Sequence, residues 1–338
     1  MNRRVVLTEH VVGMAQHRHF SVEECPSVWP ATGELLIQID TLSVDAFIRT
    51  TLNFEAGLHP HVPIGGTVVA LGVGRVLVSH SPKFAEGDMV CGQLGAQSHA
   101  TLRPDNLIKL DISAPLPPSA FLGTLGLTTG ITAYFGLKEV GKVEKGDVVL
   151  VSAAAGAVGL CAAQIARLLG AAKVIGIAGG PIKTTFLLNT LGLDGAIDYL
   201  NEDVGRRIKQ LAPHGVDVYY DNVGGEMLDA ALDNIRQGGR VVICGAISQY
   251  NNHSNTDARG PRLYLRLAER NARMEGFTVT RFAARLPEAL EHLSQWSAQG
   301  KLILPEQVYD GIDAFPEALC SLMRGGNLGK VMVRVDKR

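Results

Sequence analysis

The most constraining feature of the chain is a regular alternation of helical and strand-like segments between residues 131 and 245. In chain order, we predict a helix at 131–140, a strand at 148–152, a helix at 158–170, a strand at 173–178, a helix at 183–191, a strand at 195–199, a helix at 203–211, a strand at 216–222, a helix at 227–235 and a strand at 240–245. Strands separated by helices pair in parallel, because each return to the same sheet needs a crossover connection. The segment therefore predicts a doubly wound α/β domain.

The segments outside this alternation have a different character. Short apolar runs at 34–39 and 65–71 are separated by Gly, Pro, His and Asp, a pattern typical of a β-rich domain. Helical spacing returns at 285–299. The chain closes with the strand-like run VMVRV at 331–335, which we expect to pair with the first domain.

The length and a proline-bearing stretch predict two domains. A chain of 338 residues exceeds the size at which single cores stop growing, about 250–300 residues. The sequence DISAPLPPSA at 111–120 interrupts both helix and sheet because of its proline density. We therefore expect a β-rich domain at 1–120 and 300–338, and a nucleotide-binding domain at 121–299.

The net charge, the cysteines and the N-terminal sequence argue against a nucleic-acid-binding, a disulfide-rich or a secreted protein. A net charge of −1 provides no field that would attract nucleic acid. The five cysteines are scattered without C-x-x-C spacing, which favours a reducing compartment over a disulfide framework. The start, MNRRVVLTEH, has only three consecutive apolar residues, too few for a signal peptide. We expect a cytoplasmic protein with a small-molecule ligand.

One uncharged segment offers an alternative reading as a membrane helix. Residues 148–166, VVLVSAAAGAVGLCAAQIA, approach the roughly 20 apolar residues that span a bilayer. However, β-branched residues give way abruptly to a small-residue turn and then to an alanine-rich helical pattern. This order favours strand, loop and helix, and no membrane association is expected.

The loop of that segment predicts a phosphate-binding site. AAAGAVG at 153–159 fits G-x-G-x-x-G with Ala154, Gly156 and Gly159 at the three small positions. Small residues there permit a tight turn, a close approach of the backbone to a pyrophosphate, and close packing of the next helix. The free N–H groups at the start of that helix favour an anion. The alternative is an ordinary turn between strand and helix, but the surrounding β-α-β framework favours a dinucleotide.

The segment IAGGPIKTT at 177–185 predicts which dinucleotide binds. A fold that prefers NAD places Asp or Glu about 20 residues beyond the glycines, yet residues 178–180 contain no carboxylate. We expect a pocket without a local anion, in which Lys183 neutralises the extra phosphate of NADP(H). The alternative is a solvated lysine on a helix. A P-loop is not matched, because Ile182 replaces the required glycine.

Five motifs go beyond what a general nucleotide-binding fold requires, namely AAAGAVG (153–159), DNVGGE (221–226), CGAISQYN (244–251), EGFTV (275–279) and NLGKVMV (327–333). Together they resemble one family, the zinc-independent medium-chain dehydrogenase/reductases of the prostaglandin reductase, leukotriene B4 12-hydroxydehydrogenase and double-bond reductase group, including curcumin-reductase-like members. The resemblance implies a GroES-like catalytic domain joined to a Rossmann-type domain. It implies no metal, since SVDAF (43–47) and PIGGT (63–67) hold no cysteine or histidine where zinc-using relatives place ligands.

The resemblance also implies an activity and a set of site residues. The activity is NADPH-dependent reduction of the C=C bond of enones or enals, with Tyr250 as the catalytic group; the alternative is a loop tyrosine that only packs its ring. The implied coenzyme-binding residues are Ala154, Gly156, Ala157, Val158, Lys183, Tyr199, Asn222, Cys244, Gly245, Ala246, Ile247, Ser248, Tyr250, Phe277, Thr278, Val279 and Asn327. For Asn222, a turn-forming asparagine is a serious alternative. The resemblance further implies a homodimer in which the strand around 274–279 extends the sheet.

Two departures from the family pattern concern the substrate. The family commonly reads V-D-P-Y-M-R where this chain has VDAFIR at 44–49, so Phe47 replaces a tyrosine that often helps to bind the substrate carbonyl. TTGITAY at 128–134 keeps Thr132 but alters the wall near the nicotinamide. Phe47 and Thr132 are therefore the expected substrate residues. A quinone reductase and a non-catalytic NADP-binding protein remain as alternative functions.

Overall fold

The computed structural model describes residues 1–54, 59–111, 116–252 and 260–336, and the chain forms two units. Unit 1 comprises Met1–Leu122, Tyr250–Asp257 and Glu306–Arg338, and unit 2 comprises Gly123–Gln249 and Ala258–Pro305. The division differs from the expected bounds in three places, the first being that unit 2 begins at Gly123 and not at 121. Tyr250 and the residues after it group with unit 1, and unit 2 extends to Pro305. Part of the proline-bearing stretch, 112–115, lies outside the described residues.

The described residues form fifteen strands and eight α-helices. The strands are β1 (Asn2–Leu7), β2 (Phe20–Cys25), β3 (Leu35–Val44), β4 (Leu71–Ser79), β5 (Met89–Gln93), β6 (His99–Leu102), β7 (Ile108–Lys109), β8 (Val148–Val151), β9 (Lys173–Ala178), β10 (Gly195–Asp198), β11 (Val216–Asp221), β12 (Ile235–Ile243), β13 (Arg273–Gly276), β14 (Glu306–Asp310) and β15 (Lys330–Arg334). The helices are α1 (Thr132–Phe135), α2 (Ala157–Leu168), α3 (Pro181–Thr185), α4 (Val204–Leu211), α5 (Gly225–Asp233), α6 (Leu265–Glu269), α7 (Leu286–Ala298) and α8 (Phe315–Met323).

Unit 2 is the doubly wound domain that the alternation predicts. Its six strands are all parallel and lie in the order β10-β9-β8-β11-β12-β13. Leu150 and Tyr219 pack with α4 and α5 on one face of this sheet. Tyr220, the next residue in β11, points the other way, and its hydroxyl donates to the Thr132 carbonyl oxygen of α1 at 3.3 Å. Helices therefore cover both faces.

Several bounds in unit 2 differ from the sequence prediction. The helices predicted at 131–140 and 183–191 are α-helical only in α1 and α3, and π-helical turns at Gly136–Val140 and Phe186–Thr190 continue them. The helix predicted at 227–235 is α5, which begins and ends two residues earlier, because Ile235 pairs with Val216 as the first residue of β12. β12 begins five residues before the predicted position, and its register against β11 shifts between Val216 and Val218. The segment 148–166 forms β8, a loop and α2, as predicted. No helix in the described parts of the chain has the length and apolar character needed to cross a membrane.

Unit 1 is the β-rich, GroES-like domain. Its main sheet has the order β14-β15-β3-β4-β5-β7, with β6 also paired to β3, and β1 pairs separately with β2. β15 pairs antiparallel with β3, which confirms that the final apolar run returns to this domain. Of the apolar run at 65–71, Thr67 forms an isolated bridge to Val6, and Leu71 is the first residue of β4.

Candidate functional site

The order of the strands in unit 2 defines one crevice for a ligand. Numbered from β8 onward, the strands lie in the order 3-2-1-4-5-6, which is the dinucleotide-binding order. The chain leaves β8 toward α2 and leaves the neighbouring β11 toward α5. Ligands of such sheets bind where these two connections diverge, at the carboxyl ends of the strands. The residues that follow β8 and β11 are therefore the candidate site.

The loop after β8 has the backbone geometry of a phosphate cradle. Gly156 precedes α2, and the first turn of this helix has no side-chain cap. A Cβ atom added at Gly159 would lie 2.2 Å from the Ala153 carbonyl oxygen and 2.7 Å from the Ala154 Cα atom, so only glycine fits this close approach. The N–H groups at the start of α2, at Ala157 and Val158, begin a helix whose positive end favours an anion.

A buried polar network holds the ends of β8 and β11 together. The Ser152 hydroxyl donates to Asp221 Oδ1 at 3.0 Å, and the Asn222 backbone N–H donates to Ser152 Oγ at 2.8 Å. The Asn222 side-chain amide donates to the Ser152 carbonyl oxygen at 2.8 Å. Burial raises the pKa of the Asp221 carboxyl group. Asn222 is thus fixed beside the phosphate loop by its neighbours.

The segment after β12 packs on the turn after β11. The N–H groups of Cys244 and Gly245 donate to the Asp221 carbonyl oxygen at 2.9 and 3.1 Å, and that of Ile247 donates to the Asn222 carbonyl oxygen at 3.1 Å. The Ser248 hydroxyl donates to the Val223 carbonyl oxygen at 2.6 Å. The structure therefore brings most of the predicted coenzyme residues of this segment, Cys244, Gly245, Ala246, Ile247 and Ser248, next to Asn222. Burial raises the pKa of the Cys244 thiol to about 12, which keeps it protonated.

The predicted adenosine-phosphate residues lie after β9 and β10. Tyr199 packs its ring against Gly179, where an added Cβ atom would lie 2.9 Å from the ring. Lys183 lies in the first turn of α3, and burial lowers the pKa of its ammonium group. A partly desolvated ammonium interacts more strongly with a phosphate than a fully solvated one. The structure thus places both predicted residues around the Gly179–Gly180 turn.

The expectation that this turn lacks a local anion is wrong. Asp198, the last residue of β10, accepts a hydrogen bond from the Gly180 N–H at 2.7 Å. It also accepts from the Asn201 side-chain amide at 2.8 Å and from the Leu200 N–H at 3.1 Å. The Asn201 and Gly180 donors hold the pKa of this carboxyl group below its usual value. The sequence did not reveal Asp198 as a neighbour of this turn, because the adjacent strand supplies it, 18 residues beyond Gly180.

The predicted nicotinamide-side residues of unit 2 share a tightly packed neighbourhood. A Cβ atom added at Gly136 would lie 2.7 Å from the Tyr220 ring and 2.8 Å from the Phe277 ring. The Thr132 hydroxyl donates to the Leu127 carbonyl oxygen at 2.7 Å, inside the same helical segment. Thr278 and Val279 follow Phe277, and Thr278 is exposed. Tyr220 therefore contacts Thr132 through its hydroxyl group, and the rings of Tyr220 and Phe277 both lie close to Gly136.

Three predicted site residues, Phe47, Tyr250 and Asn327, belong to unit 1. The side-chain amide of Asn327 donates to the Gly329 carbonyl oxygen at 3.0 Å, and the residue is buried. Tyr250 is half-buried. It follows directly on the CGAISQ segment, which belongs to unit 2, so the chain passes from one unit to the other between Gln249 and Tyr250.

His59 is a neighbour of Phe47 that the sequence reasoning missed. The two rings have centroids 5.1 Å apart, and His59 Nδ1 lies 3.1 Å from Thr50 Oγ1. The Thr50 hydroxyl hydrogen is already donated to the Phe47 carbonyl oxygen at 2.7 Å, so we infer that Nδ1 donates and Nε2 accepts in the neutral ring. Burial lowers the pKa of the His59 ring. A neutral imidazole ring, that of His59, therefore lies next to the Phe47 side chain.

The described residues offer no cluster of side chains suited to a metal ion. Across 1–54, 59–111, 116–252 and 260–336, no three side chains of His, Cys, Asp or Glu are grouped so that they could hold a metal ion. Residues 43–47 contain Asp45, whose carboxylate pairs with Lys330 Nζ at 2.6 Å in a buried ion pair. Asp45 therefore balances a buried cation in unit 1.

The parallel sheet and its glycine-tight loop define a dinucleotide-binding oxidoreductase fold, and comparisons with known proteins identify the family. Residues 157–295 match the family described as "Zinc-binding dehydrogenase", and residues 3–110 match "N-terminal domain of oxidoreductase". The chain is similar to NADPH-dependent curcumin reductase of Escherichia coli (34% identity, covering 99% of this chain and 97% of that protein) and to 2-alkenal reductase (NADP(+)-dependent) of Nicotiana tabacum (34%, covering 99% and 98%).

A solved structure agrees with these similarities. The crystal structure of CurA from Vibrio vulnificus in complex with NADPH superposes with a TM-score of 0.92 at 33% identity, covering 99% of this chain and all of that one. The chain therefore belongs to the medium-chain dehydrogenase/reductase family, in the group that contains curcumin reductase and the double-bond reductases. This confirms the resemblance found in the five sequence motifs.

Proposed function

We propose that the protein is an NADPH-dependent reductase of the C=C bond of α,β-unsaturated ketones or aldehydes. The enzyme class and the coenzyme follow from the family, so the chain is an oxidoreductase that uses NADP(H). The observation that carries the finer proposal is the full-length similarity to a 2-alkenal reductase, whose name specifies a C=C bond conjugated to an aldehyde.

In this proposal, residues of unit 2 bind both phosphate-bearing parts of NADPH, the pyrophosphate and the adenosine phosphate. The loop at Ala154–Gly156 and the uncapped start of α2, at Ala157 and Val158, would hold the pyrophosphate. Lys183 and Tyr199 would hold the adenosine phosphate. The remaining proposed contacts are Asn222, Cys244, Gly245, Ala246, Ile247, Ser248, Tyr250, Phe277, Thr278, Val279 and Asn327. When bound, NADPH supplies the hydride.

The proposed chemistry assigns one task to Tyr250. Hydride addition at the β-carbon of an enone places negative charge on the carbonyl oxygen, and a hydrogen-bond donor aimed at that oxygen lowers the barrier. A phenol can donate this hydrogen bond and a proton. The proposal needs no metal ion, because Tyr250 takes the role that a Lewis acid has in zinc-dependent relatives.

The environment of Phe47 bears on the choice of substrate. This side chain is half-buried and presents a hydrocarbon ring where the family commonly has a phenol. With one hydroxyl fewer, the pocket favours substrates with an apolar β-substituent, because binding then depends on buried apolar area rather than on hydrogen bonds. We therefore expect medium-chain alkenals and aromatic enones to be better substrates than small polar ones.

An assay of NADPH oxidation with a panel of acceptors tests the proposed function. We expect medium-chain 2-alkenals and aromatic enones to be converted to the saturated carbonyl compounds, with one NADPH consumed per product. Saturated aldehydes of the same length are the control and should not react. Reduction of quinones with the alkenals untouched would contradict the proposal in favour of a quinone reductase. NADPH binding without turnover of any acceptor would favour a non-catalytic protein.

We also propose a homodimer formed through the free edge of the unit 2 sheet. β13 is the last strand of the sheet, and Tyr264, Leu265 and Met274 near it are exposed apolar side chains. An unprotected edge with apolar neighbours is an ordinary site for pairing with a second chain. The proposed assembly continues the sheet from β13 to its copy.

Sedimentation equilibrium tests this assembly. We expect the mass of two chains for the wild type and for the control Val28→Asp, because Val28 is an exposed side chain of unit 1. Met274→Asp places a charge at the proposed contact and should give single chains at micromolar concentration. A wild type that sediments as one chain would rule the dimer out.

The cysteines support a reducing, cytoplasmic location. All five are free. Burial raises the pKa of the Cys91 thiol, like that of Cys244, to about 12, so neither forms a thiolate near neutral pH. We infer that the protein works where thiols stay reduced.

A further inference from the structure

Arg49 is a fully buried cation in unit 1. It lies in the helical turn Ala46–Thr51, which also carries Phe47, and it is 0% exposed. Within the part of the chain that the structure describes, its guanidinium has no carboxylate partner, and burial lowers its pKa to about 10, so it stays charged near neutral pH. A buried charge persists only when its hydrogen-bonding groups are satisfied.

The guanidinium binds four neutral oxygen atoms from three separate segments. Nη2 and Nε both donate to the Gly13 carbonyl oxygen, at 2.6 and 3.1 Å, and Nη2 is also 3.4 Å from the Val11 carbonyl oxygen. Nη1 donates to Asn53 Oδ1 at 2.5 Å. Nε donates in addition to Asn251 Oδ1 at 3.1 Å. The cation thus connects the N-terminal loop, its own turn and the segment that begins at Tyr250.

Asn251 is the residue through which Arg49 reaches that segment. Because arginine only donates, Asn251 must turn its Oδ1 toward the guanidinium, and its Nδ2 then lies 3.6 Å from Met14 Sδ. Both polar atoms of the Asn251 side-chain amide therefore have a partner, and this fixes the orientation of the amide. Residues next in sequence share a peptide plane, so an anchored Asn251 restricts the backbone of Tyr250.

We propose that Arg49 is a positioning residue that, through Asn251, holds the Tyr250 backbone in place for the reduction. This inference rests on the proposed function and on the proposed catalytic role of Tyr250. Arg49 touches neither substrate nor coenzyme in this proposal. The planar guanidinium group has five N–H donors and binds three segments at the same time. The compact ammonium group of a lysine could not make all of these hydrogen bonds.

Two matched alanine variants separate positioning from general stability. In Asn251→Ala, Nε keeps the Gly13 carbonyl oxygen, so no buried donor of Arg49 loses its last acceptor. In Asn53→Ala, Nη1 loses the acceptor that it has in the structure. An unsatisfied buried donor is costly. We therefore expect Asn53→Ala to lower the stability of the fold and Asn251→Ala to lower the catalytic rate.

We expect Asn251→Ala to lower kcat for enone reduction about tenfold, the effect of losing about 1.4 kcal/mol of transition-state stabilisation, with Tm nearly unchanged. Asn53→Ala should lower Tm by roughly 2–4 °C and leave kcat nearly unchanged at a temperature where it is folded. Asn251→Asp keeps the acceptor oxygen and should restore most of kcat. Adding Asn251→Ala to Tyr250→Phe should cost little more than Tyr250→Phe alone, because both act on one group.

Hydrogen exchange of the peptide that contains Tyr250 gives a readout that needs no activity. It should be faster in Asn251→Ala than in the wild type and unchanged in Asn53→Ala. An unchanged kcat and exchange rate in Asn251→Ala, or losses that multiply in the double variant, would overturn the inference while leaving the reductase intact. A wild type without enone turnover, but with the expected exchange pattern, would instead overturn the proposed function and leave the anchoring of this segment standing.

Discussion

Tyr250→Phe is expected to lower kcat for enone reduction by about 10²- to 10³-fold, the range that removal of one hydrogen-bond donor to a developing oxyanion produces. The phenylalanine ring keeps the shape and apolar contacts of the half-buried side chain, so folding should be unaffected. The Kd for NADPH should change little by comparison, because a single hydroxyl contributes only part of the coenzyme contacts. Stopped-flow oxidation of NADPH with a saturating enone measures the effect.

Tyr309→Phe is the matched control. Its hydroxyl accepts a hydrogen bond from the Gln307 side chain at 3.0 Å within β14, in unit 1. Removing that hydroxyl should leave kcat unchanged. If the kcat of Tyr250→Phe equalled that of the wild type, the phenol would have no part in the reaction. Another hydrogen-bond donor would then have to stabilise the charge on the carbonyl oxygen.

Lys183→Ala is expected to weaken NADPH binding about ten- to a hundredfold and to leave NADH binding nearly unchanged. A hydrogen bond to a charged group contributes about 1.5–3 kcal/mol, and each 1.4 kcal/mol is a factor of ten in Kd. The two coenzymes differ only in the phosphate that Lys183 is proposed to bind. Titration calorimetry with both coenzymes measures the difference.

The control for this variant is Lys209→Ala, since Lys209 is an exposed lysine in the last turn of α4. It should bind both coenzymes like the wild type. Equal weakening of NADPH and NADH by Lys183→Ala would contradict the assignment, because it would mean that the lysine supports the pocket rather than the phosphate.

The pH dependence of coenzyme preference provides a second check on Lys183. Burial lowers the pKa of this ammonium group in the free protein, so it loses its proton at a lower pH than a solvated lysine does. The preference for NADPH over NADH should therefore decline as the pH rises through that lowered value. It should also decline below about pH 6, where the coenzyme phosphate gains a proton. Lys183→Ala should lack the decline at high pH.

Local sequence patterns were sufficient for the architecture of unit 2. The alternation of apolar strands and helices predicted the parallel sheet, and the small residues Ala154, Gly156 and Gly159 predicted the loop after β8. These features depend on neighbours in the chain, so the sequence displays them directly. The start of β12 was missed because Ile235 ends a helical apolar pattern and its strand character comes from pairing with Val216.

The side-chain partners that shape the candidate site could not be read from the sequence. Arg49 and Asn251 are 202 positions apart, and only the fold brings them within hydrogen-bonding distance. His59 lies beside Phe47, and no local pattern in the sequence predicts this ring contact. Asp198 was overlooked for a related reason, because the search followed a fixed count from the glycine loop and the acid comes from the adjacent strand.

Asp198 has a consequence for how coenzyme choice evolves in this lineage. A carboxylate, that of Asp198 at the end of β10, already lies beside the Gly179–Gly180 turn, where three donors bind it. A descendant that changed its nicotinamide coenzyme would not have to acquire a carboxylate. It would have to free an existing one, and loss of the Asn201 amide would release only Oδ2, because the Gly180 and Leu200 N–H groups both donate to Oδ1.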